Sequence, residues 1–547
     1  MKMMRTKKRF VLLLSAAVLV GAACGGSDDD DATDATDATA GSEPAANDTA
    51  GSSTATDPSS SAVTPGSVAT NPDGVVRFGH YYEPSRFDPH RAANAADGLA
   101  LFMTYDRLVH LDAESNPVPG LAESWEYSAD GMALTFHVRQ GVTFHDGTPF
   151  DAAAVKANLE RAKTLEGSVV AADLAPVDTV DVVDPATVQL NLTAPNAALL
   201  GILSDRAGAM ISPAAFDKPD LDQAPVGAGM YTVSDYRPGD RIVFTRADGY
   251  WDPTAQGAAE IDYILMADSS TRLNGLRTGE LDAAVLDPGD VEGAESNGLT
   301  VTQRSTVQYQ QMYMNRTVAP FDDINVRKAL NFAFDRQGIV DAVDFGYGEP
   351  NSQIFPEGYW AFNEEIGTDF YTYDLEQARE LLEASEYPDG FEFDMLLPTP
   401  GTSPQIAEIL QASFAELGIT MNIIETPAQE VADRFFVRKD VATLLGVWTG
   451  RADPSMTTSL RWTSTGFSNP GGHTTPEIEA LNATALETID PDARAEAMHE
   501  LVAAGTEEAL DLVIYNPVIS IASTDDVAVP PTIILNGKLE FRGVGTK

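Results

Sequence analysis

The chain has 547 residues, a single cysteine, and 35 Lys and Arg against 82 Asp and Glu, for a formal net charge of −47. So acidic a balance excludes nucleic acid as a partner, because a phosphate backbone is held by basic patches. One thiol excludes an internal disulfide, and the length exceeds what one simple core fills, which predicts two or three domains held by packing.

The predicted elements begin with a leader. Lys2, Arg5, Lys7, Lys8 and Arg9 precede an apolar run from Phe10 to Val20, too short for a stable membrane span, and Gly21, Ala22 and Ala23 offer a peptidase small side chains. Residues 1–23 are read as a signal peptide. Cys24 directly after the cut resembles a bacterial lipoprotein site, which implies acylation of its thiol and a lipid anchor. Residues 27–72 hold nine acids, no Lys or Arg and no aromatic. Such a segment has almost nothing apolar to bury, so residues 24–72 are expected to form a disordered acidic tether.

In the body, Val75 to Phe78 reads as the entering strand, and Leu134 to Val138 alternates as a half-buried strand does. Arg241 to Thr245 and Ile419 to Ile424 are further strands. Asp374 is placed to cap a helix whose face is Leu375, Ala378, Leu381 and Leu382. Ile406, Ile409, Leu410, Phe414 and Leu417 repeat at helical spacing up to Gly418. Thr475-Pro476 and Asp490-Pro491 each set a capping side chain before a proline at the first helical position. The fold class is α/β, with more than one lobe.

Motifs for chemistry are missing. No Gly-x-Ser-x-Gly occurs. Gly227-Ala228-Gly229 begins a dinucleotide-like pattern, but Thr232 stands where its third glycine belongs, and Ala503 replaces the second histidine after His499-Glu500. The seven histidines are scattered without paired ligand spacing. No cofactor and no resident metal are expected. A solvated acidic surface explains the charge, with a cation site as the sharper alternative.

A series of short strings then carries a resemblance. It runs through Phe87-Asp88-Pro89-His90, Tyr105-Asp106-Arg107-Leu108-Val109, Pro119 to Trp125 and Phe144-His145-Asp146-Gly147-Thr148-Pro149. It continues through Pro225 to Tyr231, Tyr250-Trp251, Gly279 to Asp282, Pro320 to Asp323, Val326 to Leu330, Gly418-Ile419 and Asp453-Pro454. In number and order these strings resemble the family 5 extracellular solute-binding proteins, the oligopeptide, dipeptide and nickel-type receptors of ABC importers. Read physically, the strings hold the fold rather than a ligand: residues 144–149 make a turn between strand and helix, with Arg139 expected to hold Asp146.

The resemblance implies a type II periplasmic-binding-protein-like clamshell with an extra inserted domain. One lobe comprises residues 75–110, 225–318 and 515–547, the inserted domain 111–224, and the second lobe 319–514. It also implies a monomer that recognises and delivers a solute to permease subunits, without bond making. In peptide receptors of this family an Asp soon after a Trp binds the peptide amine. The matching stretch is Trp448-Thr449-Gly450-Arg451, so a cation stands near the place of that acid. A guanidinium suits a carboxylate or phosphate. The candidate ligand contacts are therefore Trp448, Thr449, Gly450 and Arg451, the loop Ala93-Asn94-Ala95, and the aromatics Tyr309 and Tyr515. The expected solute is a small peptide or peptide-like, anionic compound. The alternatives are a metal chelate, oligosaccharide or opine-like solute, or a signalling receptor or enzyme reusing the scaffold.

Overall fold

The computed structural model describes residues 68–92, 97–399 and 403–547. The leader, Cys24, most of the tether and Ala93-Asn94-Ala95 lie outside the described residues.

A 12-stranded sheet runs through both lobes. In the first lobe Val75–His80 lies parallel to Glu260–Leu265 and to Ala283–Leu286, and Arg241–Arg246 and Tyr231–Arg237 extend it antiparallel. Val76 and Phe78 are fully buried, and Phe78 meets Phe541 edge to face at 5.2 Å between centroids. Strand Val75–His80 accepts neighbours on both sides, so its apolar residues are covered by packed layers. The segment before it is already held. Asn71 N–H donates to Thr546 O at 2.8 Å and Arg246 reaches Pro72 O, so order begins short of the expected tether end at residue 72.

In the second lobe Glu392–Thr399 lies parallel to Thr420–Pro427 and to Thr443–Trp448, and Tyr309–Met314 pairs antiparallel with the last of these. Helices Ile324–Phe332, Leu375–Glu383 and Pro404–Ala415 cover one core with Val326, Leu330, Ala378, Leu382, Leu410 and Phe414. Their ends follow local chemistry: Asp374 accepts from Glu376 and Gln377 N–H, Thr475 from Ile478 N–H, and Asp490 from Ala493 N–H. Gly418, after the helix Pro404–Ala415, sits at φ +74°, the left-handed region that glycine enters without a Cβ penalty.

The inserted domain has its own four-stranded antiparallel sheet, ordered Ala122–Tyr127, Ala133–Val138, Thr187–Leu192 and Val177–Asp184. Leu134, Phe136 and Val138 point into its core beneath helix Ala152–Thr164.

Leu512–Ser523 joins the lobes. Its first residues pair with Tyr309–Met314 and its last with Thr300–Ser305 and Ala283–Leu286. Between the two pairings, buried Asn516 donates to Thr306 O at 3.2 Å and Gln308 O at 2.8 Å, tying the two crossing segments together. Three expectations change here. Met312 and Met314, assigned by sequence to the first lobe, pack in the second-lobe core, as does Tyr515. The inserted-domain core takes in Leu108 and Val109 and also Ala228, while Ile211, Ala215 and Leu221 join the first lobe. Arg139 does not hold Asp146: it donates to Gly120 O at 2.7 Å, lies 3.6 Å from Glu123 and stacks 3.7 Å from the Trp251 ring, while Asp146 accepts from Ser212 at 2.6 Å.

Candidate functional site

A cavity of about 1040 Å³ has walls from all three parts of the molecule. The first lobe supplies Tyr82, Ser85, Asn536 and Lys538; the inserted domain supplies Val169, Val170, Asp173, Asp205 and Arg206; the second lobe supplies Ala428, Thr449, Gly450, Arg451, Leu460 and Phe467. Apolar surface with a few convergent polar groups is the usual make-up of a small-molecule site. Another cavity, of about 850 Å³, has an acidic rim of exposed Glu114, Glu364, Glu365, Glu496 and Glu500 with His499, and no basic group. Its acids point to solvation rather than enclosure.

The second-lobe wall is built by a short connection. Strand Thr443–Trp448 ends, residues 449–452 turn, and helix Pro454–Trp462 begins under the cap of Asp453. In α/β sheets such turns at the carboxyl ends of strands are the usual ligand positions. Gly450 is required by the backbone: its φ is +72°, and a Cβ there would lie 2.6 Å from Val307 Cγ2. The turn presents Arg451 inward. Arg451 Nη1 donates to Gly450 O at 2.8 Å, and its guanidinium stacks 4.7 Å from the Trp448 ring. No carboxylate among the described residues forms a salt bridge with it. Burial lowers the guanidinium's pKa, only partly offset by Asp173 and Asp205 across the cavity.

Trp448, expected on the wall, is instead 5% exposed and stands behind it; its indole N–H donates to Thr457 Oγ1 at 3.2 Å. It supports Arg451 and is also approached by buried Arg461, 5.4 Å from its ring. Tyr309 and Tyr515, expected to face the cleft, are core residues. Tyr309 packs with Val307 and Trp448, and Tyr515 sits in the second-lobe core with its hydroxyl beside Asp344. Thr449 is exposed at the cavity edge.

The opposite wall was not anticipated. Lys538 Nζ and Asp205 Oδ2 pair at 2.6 Å. Burial alone would raise Asp205, but Lys538 and Arg206 outweigh it and hold the carboxyl at about 2. Arg206 also donates to Ala92 O, holding the start of the loop whose next four residues are not described. Buried Asp97 gathers the remaining wall, accepting from Tyr82 Oη at 2.9 Å, Ser85 N–H at 2.7 Å and Ser85 Oγ at 2.7 Å. Asp173, in the turn before strand Val177–Asp184, has no hydrogen bond or salt bridge to any described residue, and burial raises its pKa. None of these residues lies in a motif. They come from distant stretches, and the only signal is that Arg206 and Lys538 are among few cations in so acidic a chain.

The inserted domain closes on the second lobe next to this cavity. Ala197 N–H donates to Leu486 O at 2.8 Å. Helix Leu199–Leu203 approaches the 449–452 turn so closely that a Cβ on Gly201 would lie 2.9 Å from Asp453 Cβ and 3.0 Å from Ala452 O.

Two α/β lobes on one crossing strand, with a cavity of mixed polar and apolar lining between them, define a binding protein that holds its solute between lobes. The chain belongs to the bacterial extracellular solute-binding proteins of family 5, whose middle region matches residues 116–469. It is 32% identical over 438 residues to the glutathione-binding protein GsiB of Salmonella typhimurium, covering 77% of this chain and 84% of that protein. Among solved structures it resembles NikA from Brucella suis in complex with Fe(III)-EDTA, with TM-score 0.77 and 24% identity over 87% of this chain and all of that one. It also resembles the periplasmic binding protein DppA from Helicobacter pylori in complex with the peptide STSA, with TM-score 0.74 and 23% identity over 87% of this chain and 98% of that one. The fold is thus the type II periplasmic-binding-protein clamshell. Members of the family are extracytoplasmic solute-binding components of ABC importers, not enzymes, and among the described residues no helix is long and apolar enough to cross a membrane.

Proposed function

We propose that this chain captures a small peptide-like solute bearing a carboxylate and delivers it to an ABC permease, with Arg451 receiving the carboxylate. The observation that carries the reading is Arg451 itself, a guanidinium on the cavity wall that forms no salt bridge with a carboxylate among the described residues. A planar fork of donors in a poorly solvated site is matched by a carboxylate, which offers two acceptors in the same plane. The relatives named for glutathione binding support the class, since glutathione is a tripeptide with two carboxylates.

Solute gripped from both lobes stabilises the closed form by its differential affinity for it. The hinge lies where residues 306–308 and 516–517 cross between the lobes, because the pairing partners of Leu512–Ser523 change there. Closure excludes water and shapes the surface offered to the permease. The protein works outside the cytoplasmic membrane as a monomer, held by lipid on Cys24; Cys24→Ser is expected to move it from the membrane fraction to the soluble one.

The deciding experiment is calorimetry with matched pairs, reduced glutathione against its diamide, in which both carboxyls are blocked, and trialanine against its C-terminal amide. Loss of one partner from a buried charge pair costs about 2–5 kcal/mol, or roughly 30- to 5000-fold in affinity. Arg451→Ala is expected to weaken the free acids by that factor and to leave the amides nearly unchanged. Arg451→Lys recovers only part, because an ammonium lacks the two-pronged contact. Wild-type protein that binds acid and amide equally, unaffected by Arg451→Ala, rejects the carboxylate reading.

A further inference from the structure

The charges around the cavity fall into two sets. In the first, Asp205, Arg206 and Lys538 satisfy one another: Lys538 pairs with Asp205 at 2.6 Å, and Arg206 Nε lies 3.9 Å from the same carboxyl group. In the second, Asp173 on the inserted domain and Arg451 on the second lobe both border the cavity, and no salt bridge joins them. Among the described residues Arg451 makes a backbone contact with Gly450 and a stacking contact with Trp448, and it feels the Asp173 and Asp205 charges across the cavity without a salt bridge to either. Asp173 has no hydrogen-bond or ion-pair partner among the described residues. Both are half-buried.

A carboxylate taken partly out of water without a partner is destabilising, and more so once the lobes have closed over it. A solute that carries a cation to Asp173 and a carboxylate to Arg451 removes both costs at once. An uncharged or purely anionic solute leaves Asp173 unpaired.

We infer that Asp173 is a specificity-determining residue that receives the solute's ammonium group, so that the inserted domain grips the cationic end and the second lobe the anionic end. The inference rests on the carboxylate reading of Arg451 given above and adds a second point of recognition with the opposite sign. It also gives the inserted domain a role in the site. The lobe that would otherwise offer an acid to the amine offers Arg451, and the acid comes from the facing domain. Asp205 is not an equivalent receiver, because Lys538 already occupies it. Since the two charges stand on parts of the molecule that close on one another, a solute with both ends charged favours the closed form more than one with either end blocked.

The test is a calorimetric grid on the full chain, with wild type, Asp173→Asn and Arg451→Gln. The probes are reduced glutathione with its N-acetyl derivative and its diamide, in which both carboxyls are blocked, and trialanine with its N-acetyl and C-terminal amide derivatives, at concentrations up to about 1 mM, where binding free energy is about −4 kcal/mol. Asp173→Asn keeps the side-chain shape and removes the charge. It is expected to weaken the free-amine probes about 30-fold or more and to leave the N-acetyl derivatives unchanged. Arg451→Gln is expected to show the complementary pattern, sensitive to the C-terminal amide and blind to N-acetylation. If Asp173→Asn weakens free and N-acetylated probes equally, or weakens neither, the amine role is overturned whatever Arg451 does. If Asp173→Asn discriminates as expected and Arg451→Gln does not, the Arg451 reading fails and the role of Asp173 stands. Wild type that binds no probe at about 1 mM rejects both.

Discussion

Two clusters of buried charge show how differently the same residue types are used. At the seam between the first lobe and the inserted domain, Asp106 accepts from Tyr250 Oη at 2.9 Å and Trp251 Nε1 at 2.6 Å, and meets His110 Nε2 at 2.5 Å. Arg542 stacks 5.4 Å from the Trp251 ring and donates to Tyr250 Oη at 2.7 Å, and Arg107 pairs with Glu540 at 2.7 Å. Burial alone would raise Asp106, but His110 and Arg542 hold it well below the ordinary carboxylate range. Every charge there has a partner within the chain. In the cleft, Asp173 and Arg451 feel each other's charge across the cavity, but neither forms a salt bridge with any described residue. A satisfied network specifies structure, whereas charges without a salt-bridge partner on a cavity wall are candidates for ligand contact.

The contrast can be broken by substitution. Asp106→Asn strands three partners in a buried network, and breaking such a cluster costs about 3–5 kcal/mol. Denaturant unfolding is expected to show a loss of that size; a midpoint unmoved from wild type would mean the seam is not structural. Next in size is Gly201→Leu. The helix–turn approach leaves no room for a side chain, and overpacking of this kind costs about 1–3 kcal/mol. The cost falls on the closed form, so affinity should drop roughly 5- to 150-fold while scattering reports a larger radius of gyration with solute than wild type shows. Unaltered affinity would place closure elsewhere. The smallest effect on stability is expected from Arg451→Ala, within about 0.5 kcal/mol of wild type in the absence of solute, because the guanidinium holds no other element in place. A large loss of stability would move Arg451 from the binding group to the scaffold, and would remove the difference between cleft and seam.

Much of the scaffold was legible in the chain. The alternation at Leu134 to Val138 and the caps at Asp374, Thr475 and Asp490 are local, and local sequence is where their physics resides. The ordered strings that carry the family resemblance prove to include the seam: Asp106, Arg107, Tyr250 and Trp251 are all members of them. Arg451 was within reach too, because it follows a strand and a tryptophan in an informative stretch. The roles of Trp448, Tyr309 and Tyr515 were not. An aromatic residue near a cleft by sequence order looks the same whether its ring lines the wall or backs it, and only side-chain packing decides between them.

By itself, then, the amino-acid sequence determined elements with local causes: strands such as Leu134 to Val138, helices and their caps, and the acidic balance that rules out nucleic acid. Which charges meet was left to the tertiary structure. Lys538 lies 333 positions from the Asp205 it neutralises and Asp173 lies 278 from Arg451, separations over which no spacing rule operates. Pairing across such distances follows from how the crossing strand Leu512–Ser523 and the docked inserted domain set the walls of the cavity. A charge becomes a binding group or a scaffold group according to whether that packing brings it a partner, because the cost of an unpaired charge depends on its surroundings and not on its place in the chain.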